Sequence, residues 1–154
     1  IDAMLGEVVA EPDDATLPPR ERIVILAKSM RQAFRHHPDL GLALIDSEGM
    51  SINGIEVTRR AINALRDLGL QKLDLVRMYQ AFEGFIMGSC VQDFSGSPHN
   101  YEIRRARYRF VNIPELDDAA RTTELVEDLA EQGFLETLFA IIDRAEYLAK
   151  NPSK

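Results

Sequence analysis

Two stretches of this chain are apolar around too much of their circumference for one small domain to cover. Wound as a helix, Leu70 to about Phe94 places Leu75, Tyr79, Phe82 and Ile86 on one side, with Met78 and Phe85 beside them. Leu73, Val76, Met87 and Val91 fall opposite, and Arg77, Gln80 and Glu83 interrupt the pattern. Phe134 to Lys150 spreads Phe134, Leu135, Leu138, Phe139, Ile141, Ile142, Ala145 and Leu148 well beyond the roughly 100° stripe that a helix needs to sit on one core. A helix apolar on nearly all sides is buried on nearly all sides. The 154 residues suit a single domain. A domain of that size buries only roughly 68–70% of its unfolded surface. Part of both segments is therefore expected to meet a second subunit. The residues expected there are Leu73, Val76, Met87 and Val91 on the first and Leu135, Leu138, Phe139 and Ile142 on the second.

The other segments are helical too. Ile1 to Ala10 has helical spacing but neither an N-cap nor an initiator Met before it, which reads as a chain cut from something longer. Glu11 to Pro19 is a loop, broken by three prolines. Arg20 to His37 places Ile23, Leu26, Ala27, Met30, Ala33 and Phe34 on one stripe, while Lys28, Arg31 and Arg35 share a face expected to stay solvated. Pro38 stops that helix. Leu40 to Ile45 is a short apolar piece, and the loop Asp46 to Gly54 leads into a helix from Ile55 to Leu68 that ends at Gly69. After the loop Ser95 to Asn100, Tyr101 to Val111 is helical and a turn spans Pro114 to Ala120. A short helix, Glu124 to Glu131, is separated by Gly133 from the last one. No segment alternates with the two-residue period of a half-buried strand, so the fold class is all-α.

Composition narrows the function. The net charge of -7 argues against a nucleic-acid module, which carries clustered positive charge to displace counterions from phosphates. Cys90 is the single cysteine, so there is no internal disulfide and no multi-cysteine zinc site, and a reducing, cytoplasmic setting is expected. No apolar run approaches the roughly 20 residues of a membrane span, and no signal segment opens the chain. Glu-x-x-His pairs, His-Glu-x-x-His, EF-hand spacing, phosphate-cradling glycine loops and the Gly-x-Ser-x-Gly elbow are all missing. Neither catalysis nor a metal or cofactor has a visible vehicle.

Some residues call for individual readings. His36 and His37 sit at a helix C-terminus, where the dipole favours an imidazolium. Cys90 reads as a small core residue. Arg104, Arg105, Arg107 and Arg109 cannot share one helix face, so solvated or salt-bridging roles are expected rather than an anion site. Gly84 and Gly88 inside a helix each cost about 1 kcal/mol relative to alanine, and want either a closely approaching helix or room for a ligand. Met30, Phe34, Met78, Tyr79, Phe82 and Phe85 could line an apolar cavity with a polar rim, although plain core is the more common role for any one of them.

Four segments, in order, resemble the C-terminal regulatory region of the tetracycline-repressor (TetR) family. Ile1-Asp2-Ala3-Met4-Leu5 is similar to the "Leu-Leu-Asp-Ala-Met-Leu" start of the family's fourth helix. Arg20 to Pro38, ending His36-His37-Pro38, resembles its fifth. Ala81-Phe82-Glu83-Gly84-Phe85-Ile86-Met87-Gly88 resembles the eighth with its "Phe-x-x-Gly" signature, and Phe134 to Phe139 the "Phe-Glu-x-Gly-Leu" opening of the last long helix. The resemblance implies an Ω-shaped homodimer joined by a four-helix bundle, here built from Leu70–Phe94 and Phe134–Lys150. It also implies an all-α domain that binds a small apolar or aromatic effector, with Met30, Phe34, Ile62, Leu65, Met78, Tyr79, Phe82 and Phe85 as the expected effector-binding residues. Effector binding would shift the helix Ile1–Ala10, change the spacing of two recognition helices and release operator DNA, as a repressor does. The chain shows no helix-turn-helix, so operator contacts would belong to an N-terminal domain outside these residues. The metal-drug ligands of the tetracycline-binding members have no matching motif.

Two other readings stand beside this one. A free-standing helical binding or adaptor module accounts for the same periodicities. An enzyme assembled from scattered residues such as Glu83, His99 and Tyr101 is disfavoured by the failed motif searches.

Overall fold

The computed structural model describes residues 1–45, 51–94 and 100–154. Among them are eight helices and no strand: α1 (Asp2–Ala10), α2 (Pro19–His36), α3 (Leu40–Ile45), α4 (Ile52–Asp67), α5 (Lys72–Phe94), α6 (Asn100–Val111), α7 (Pro114–Ala119) and α8 (Thr123–Lys150). The expected loop residues Asp46–Met50 and Ser95–His99, and with them His99, lie outside the described residues.

Local chemistry sets the boundaries. α2 starts with Pro19 in its first turn, where the missing N–H costs nothing, and ends at His36, with His37 as its C-cap just before Pro38. α4 begins three residues earlier than its apolar spacing predicts, because the Ser51 hydroxyl accepts a hydrogen bond from the Gly54 N–H at 3.1 Å. Gly69, just past the C-terminal end of α4, takes φ 107°, a left-handed conformation that glycine adopts without a Cβ penalty. The clearest departure is α8. Gly133 does not divide two helices, and one continuous helix of 28 residues runs from its Thr122 cap. Val126, Phe134, Leu138, Ile142 and Ala145 are buried along one side on both flanks of the glycine. That packing outweighs the roughly 1 kcal/mol a mid-helix glycine costs.

α1 packs on α2 and α4, and α5 lies between that layer and α8; α6 and α7 cover α8 from the other end. One apolar cluster runs through the middle, from Met4, Leu5 and Val8 of α1 to Leu138 and Ile142 of α8. Polar contacts fix α1 at several points. The Asn53 amide donates to the Asp2 carbonyl at 2.9 Å, and Arg60 donates to the carbonyls of Val9 and Glu11 at 3.0 and 2.7 Å, capping the α1 C-terminus. Glu7 reaches His36 at 3.2 Å and His37 at 2.5 Å. No helix among the described residues is long and apolar enough to cross a membrane.

Candidate functional site

The expected effector residues converge on the interface of α2, α4 and α5. Met30 and Phe34 come from the buried stripe of α2, Leu65 from α4, and Met78 and Phe82 from α5; all five are buried in the central cluster. Tyr79 and Phe85 pack against its edge, whereas Ile62 is half-buried and is not among the side chains packed on it. The Tyr79 hydroxyl donates to Glu83 at 2.9 Å and lies 3.3 Å from the Thr58 hydroxyl, which places polar atoms at the rim. A small cavity of about 40 Å³ lies beneath the α1–α2 connection, against Val8, Leu17, Arg22, Leu26 and Ala64, and none of the expected residues lines it. Its volume suits water rather than an organic ligand, which takes roughly 300–1,000 Å³.

Beside this apolar centre is a charged cluster that local sequence gives no sign of. Arg31, expected on a solvated face, is only 3% exposed. Its guanidinium donates to Glu131 of α8 at 3.1 and 2.9 Å and sits 2.8 Å from the Asp93 carboxylate of α5, itself 6% exposed. Arg104 of α6 donates to the other Asp93 oxygen at 2.5 Å, and Arg35 pairs with Glu127 and with Glu131. Burial pulls the Arg31 pKa down, but the hydrogen bonds to Glu131 and Asp93 more than offset it and leave it raised. The Arg31 guanidinium also lies 4.4 Å from the Phe134 ring centroid, and Phe134 stacks on Phe85 at 5.0 Å. The cluster is thus continuous with the apolar centre. Arg22 is a second buried cation missed by periodicity, held by Asp13 and Asp67.

The long helices divide their apolar side chains between this interior and the outside. Leu73 and Val76 are 70% and 49% exposed and Phe139 is 37% exposed; Met87, Val91 and Leu135 are half-buried. Leu138 and Ile142, expected at a subunit interface, are instead fully buried in this chain's own core. They lie one helical turn apart, so they share the inward face of α8. The outward face of α8 carries Leu129 and Tyr147 instead, 40% and 54% exposed. A Cβ placed on Gly84, Gly88 or Gly133 would meet nothing within 4 Å, so no group among the described residues explains those glycines.

The remaining singled-out residues have structural partners. Arg105 donates to the Ala120 and Arg121 carbonyls at 2.8 and 2.7 Å, tying α6 to the α7–α8 junction. Burial pushes the Cys90 thiol up to about 12. Among the described residues no three His, Cys, Asp or Glu side chains are grouped to hold a metal ion.

Eight helices among the described residues, packed around one apolar centre, define an all-α domain. Residues 11–143 match the family described as "Tetracyclin repressor-like, C-terminal domain", and the chain belongs to that family. The fold is similar to the crystal structure of a possible TetR family transcriptional regulator from Streptomyces coelicolor A3(2). The two superpose with a TM-score of 0.70 at 18% identity, over 92% of this chain and 74% of that one. No curated protein matches the chain.

Proposed function

We propose that this chain is the effector-binding and dimerisation domain of a one-component cytoplasmic transcription regulator, a repressor that leaves its operator when a small molecule binds. The observation that carries the reading is the outward stripe on α5 and α8, within a chain of this family. Leu73, Val76, Leu129, Phe139 and Tyr147 expose apolar surface around open positions at Gly84, Gly88 and Gly133. Packing α5 and α8 against the same pair in a twin removes that surface from water and lets backbones approach at the glycines.

The effector, an apolar or aromatic molecule, enters the α2–α4–α5 interior. No DNA contact is assigned to these residues; a helix-turn-helix domain preceding α1 makes it. Because α1 is tied to α4 through Asn53 and Arg60 and to α2 through His36 and His37, a ligand that parts α2 and α4 also moves α1. Operator half-sites repeat at roughly 34–36 Å, so a small change in the spacing of two recognition helices is enough for release.

The experiment separates the two surfaces. Phe82→Ala or Tyr79→Ala is expected to weaken effector binding and leave dimer affinity intact. Leu73→Glu with Val76→Glu is expected to do the reverse. Loss of dimer affinity alone in the Phe82 and Tyr79 variants would assign those residues to an interface and overturn the pocket.

A further inference from the structure

The charged cluster contains one group that its neighbours do not satisfy. The Tyr101 hydroxyl is buried and finds no hydrogen-bond partner among the described residues. A buried tyrosine hydroxyl normally has a partner, so an orphan one asks for a reason. Tyr101 packs against the central apolar cluster, and the Arg104 guanidinium lies 5.7 Å from its ring centroid. Burial, then the nearby Asp93 carboxylate, raises its pKa, so at neutral pH the hydroxyl keeps its proton and remains a donor.

The surroundings define what it takes. Arg31, Arg35 and Arg104 are matched by Asp93, Glu127 and Glu131 in mutual ion pairs, so the cluster is already neutral. A ligand group bearing a net charge would leave that balance broken in a buried place, which is costly. A neutral acceptor would not. The Phe134 and Phe85 rings lead from the cluster to the apolar centre, so the apolar body of a ligand whose acceptor is held at Tyr101 would lie against these rings.

We infer that the effector is an uncharged, largely apolar molecule with a carbonyl oxygen (a ketone, lactone, ester or amide), and that Tyr101 donates a hydrogen bond to that oxygen. The inference rests on the effector-domain reading above and assigns the chemical class that reading leaves open. Arg31 and Asp93 act as positioning residues that keep the site neutral and hold Arg104 over the ring.

The test uses the 154-residue chain labelled with ¹³C in its tyrosine rings, titrated with acetophenone, 2-nonanone and δ-decalactone as carbonyl probes. Ethylbenzene serves as the hydrocarbon control and benzoate as the anionic one. The carbonyl probes are expected to move the Tyr101 resonance, identified by its disappearance in Tyr101→Phe, and to bind more tightly than ethylbenzene or benzoate. Tyr101→Phe is expected to weaken the carbonyl probes by roughly threefold to tenfold, the value of one neutral hydrogen bond, and to leave ethylbenzene unchanged. In the free protein the same substitution removes an unsatisfied hydroxyl, so the melting temperature is expected to hold or rise. Equal carbonyl affinity in wild type and Tyr101→Phe, or tighter binding of benzoate, overturns the inference while leaving an effector pocket in place. Failure of every probe to bind inside the domain, ethylbenzene included, overturns the pocket and this inference together.

Discussion

Replacing Asp93 by alanine tests how the charged cluster is balanced. Asp93 is 6% exposed, and its two oxygens serve two different guanidiniums, Arg31 at 2.8 Å and Arg104 at 2.5 Å. Removing one partner of a buried pair typically costs 3–5 kcal/mol, because the other charge stays buried and uncompensated. Here Arg31 keeps Glu131 at 2.9 Å, a carboxylate about one-third exposed and so already partly solvated. The expected loss is therefore at the low end, about 3 kcal/mol. In a chain of this length that corresponds to a fall of roughly 6–12 °C in melting temperature. The assay is thermal and urea unfolding at one fixed protein concentration, since dimerisation would make stability concentration-dependent. A second variant completes the cycle. Arg31→Met combined with Asp93→Leu replaces the pair by apolar groups and is expected to recover most of the loss. A loss below about 0.5 kcal/mol for Asp93→Ala, the size of an ordinary surface substitution, would refute the reasoning. So would a double variant as unstable as the two single losses added.

Three further outcomes follow from particular groups. Gly84→Leu fills a position that is open within the chain, so the subunit should stay folded by circular dichroism while dimer association weakens about tenfold or more; unchanged association would remove Gly84 from the interface. The Asp74 carboxyl is held below its ordinary range by the Ser153 backbone N–H and by Arg77. Its stabilisation is complete above about pH 4, the unfolded value, and is lost as pH falls through the lower folded value. Asp74→Asn should accordingly flatten the acid limb of the urea-midpoint profile, and an unaltered limb would contradict the assignment. With its pKa at about 12, Cys90 should react with iodoacetamide at pH 8 roughly a thousandfold more slowly in the native chain than after unfolding, and comparable rates would contradict its burial.

Periodicity recovers what is local. All six residues of the α2 stripe, Ile23, Leu26, Ala27, Met30, Ala33 and Phe34, are buried. The apolar excess of α5 corresponds to real exposure at Leu73 and Val76. What periodicity loses is everything decided by distant partners. Arg31 looks like any exposed helix arginine, because Glu131 is 100 residues away and Asp93 comes from another helix. The unity of α8 across Gly133 depends on tertiary burial on both sides of the glycine. The broad stripe of α8 cannot by itself be divided into inner and outer halves. Leu138 and Ile142 turn inward because the rotation of α8 against α5 is set by packing, while Leu129 and Tyr147 turn out. Of the expected effector residues, all but Ile62 lie in or against the shared core, which is as far as helical periodicity alone can place them.

Sedimentation equilibrium on the 154-residue chain at micromolar concentration addresses the exposed α5–α8 face most directly. A mass twice 17.4 kDa is the predicted result, falling to the single value when Leu73 and Val76 are both changed to glutamate. A wild-type chain that stays at 17.4 kDa across the whole concentration range would contradict the account.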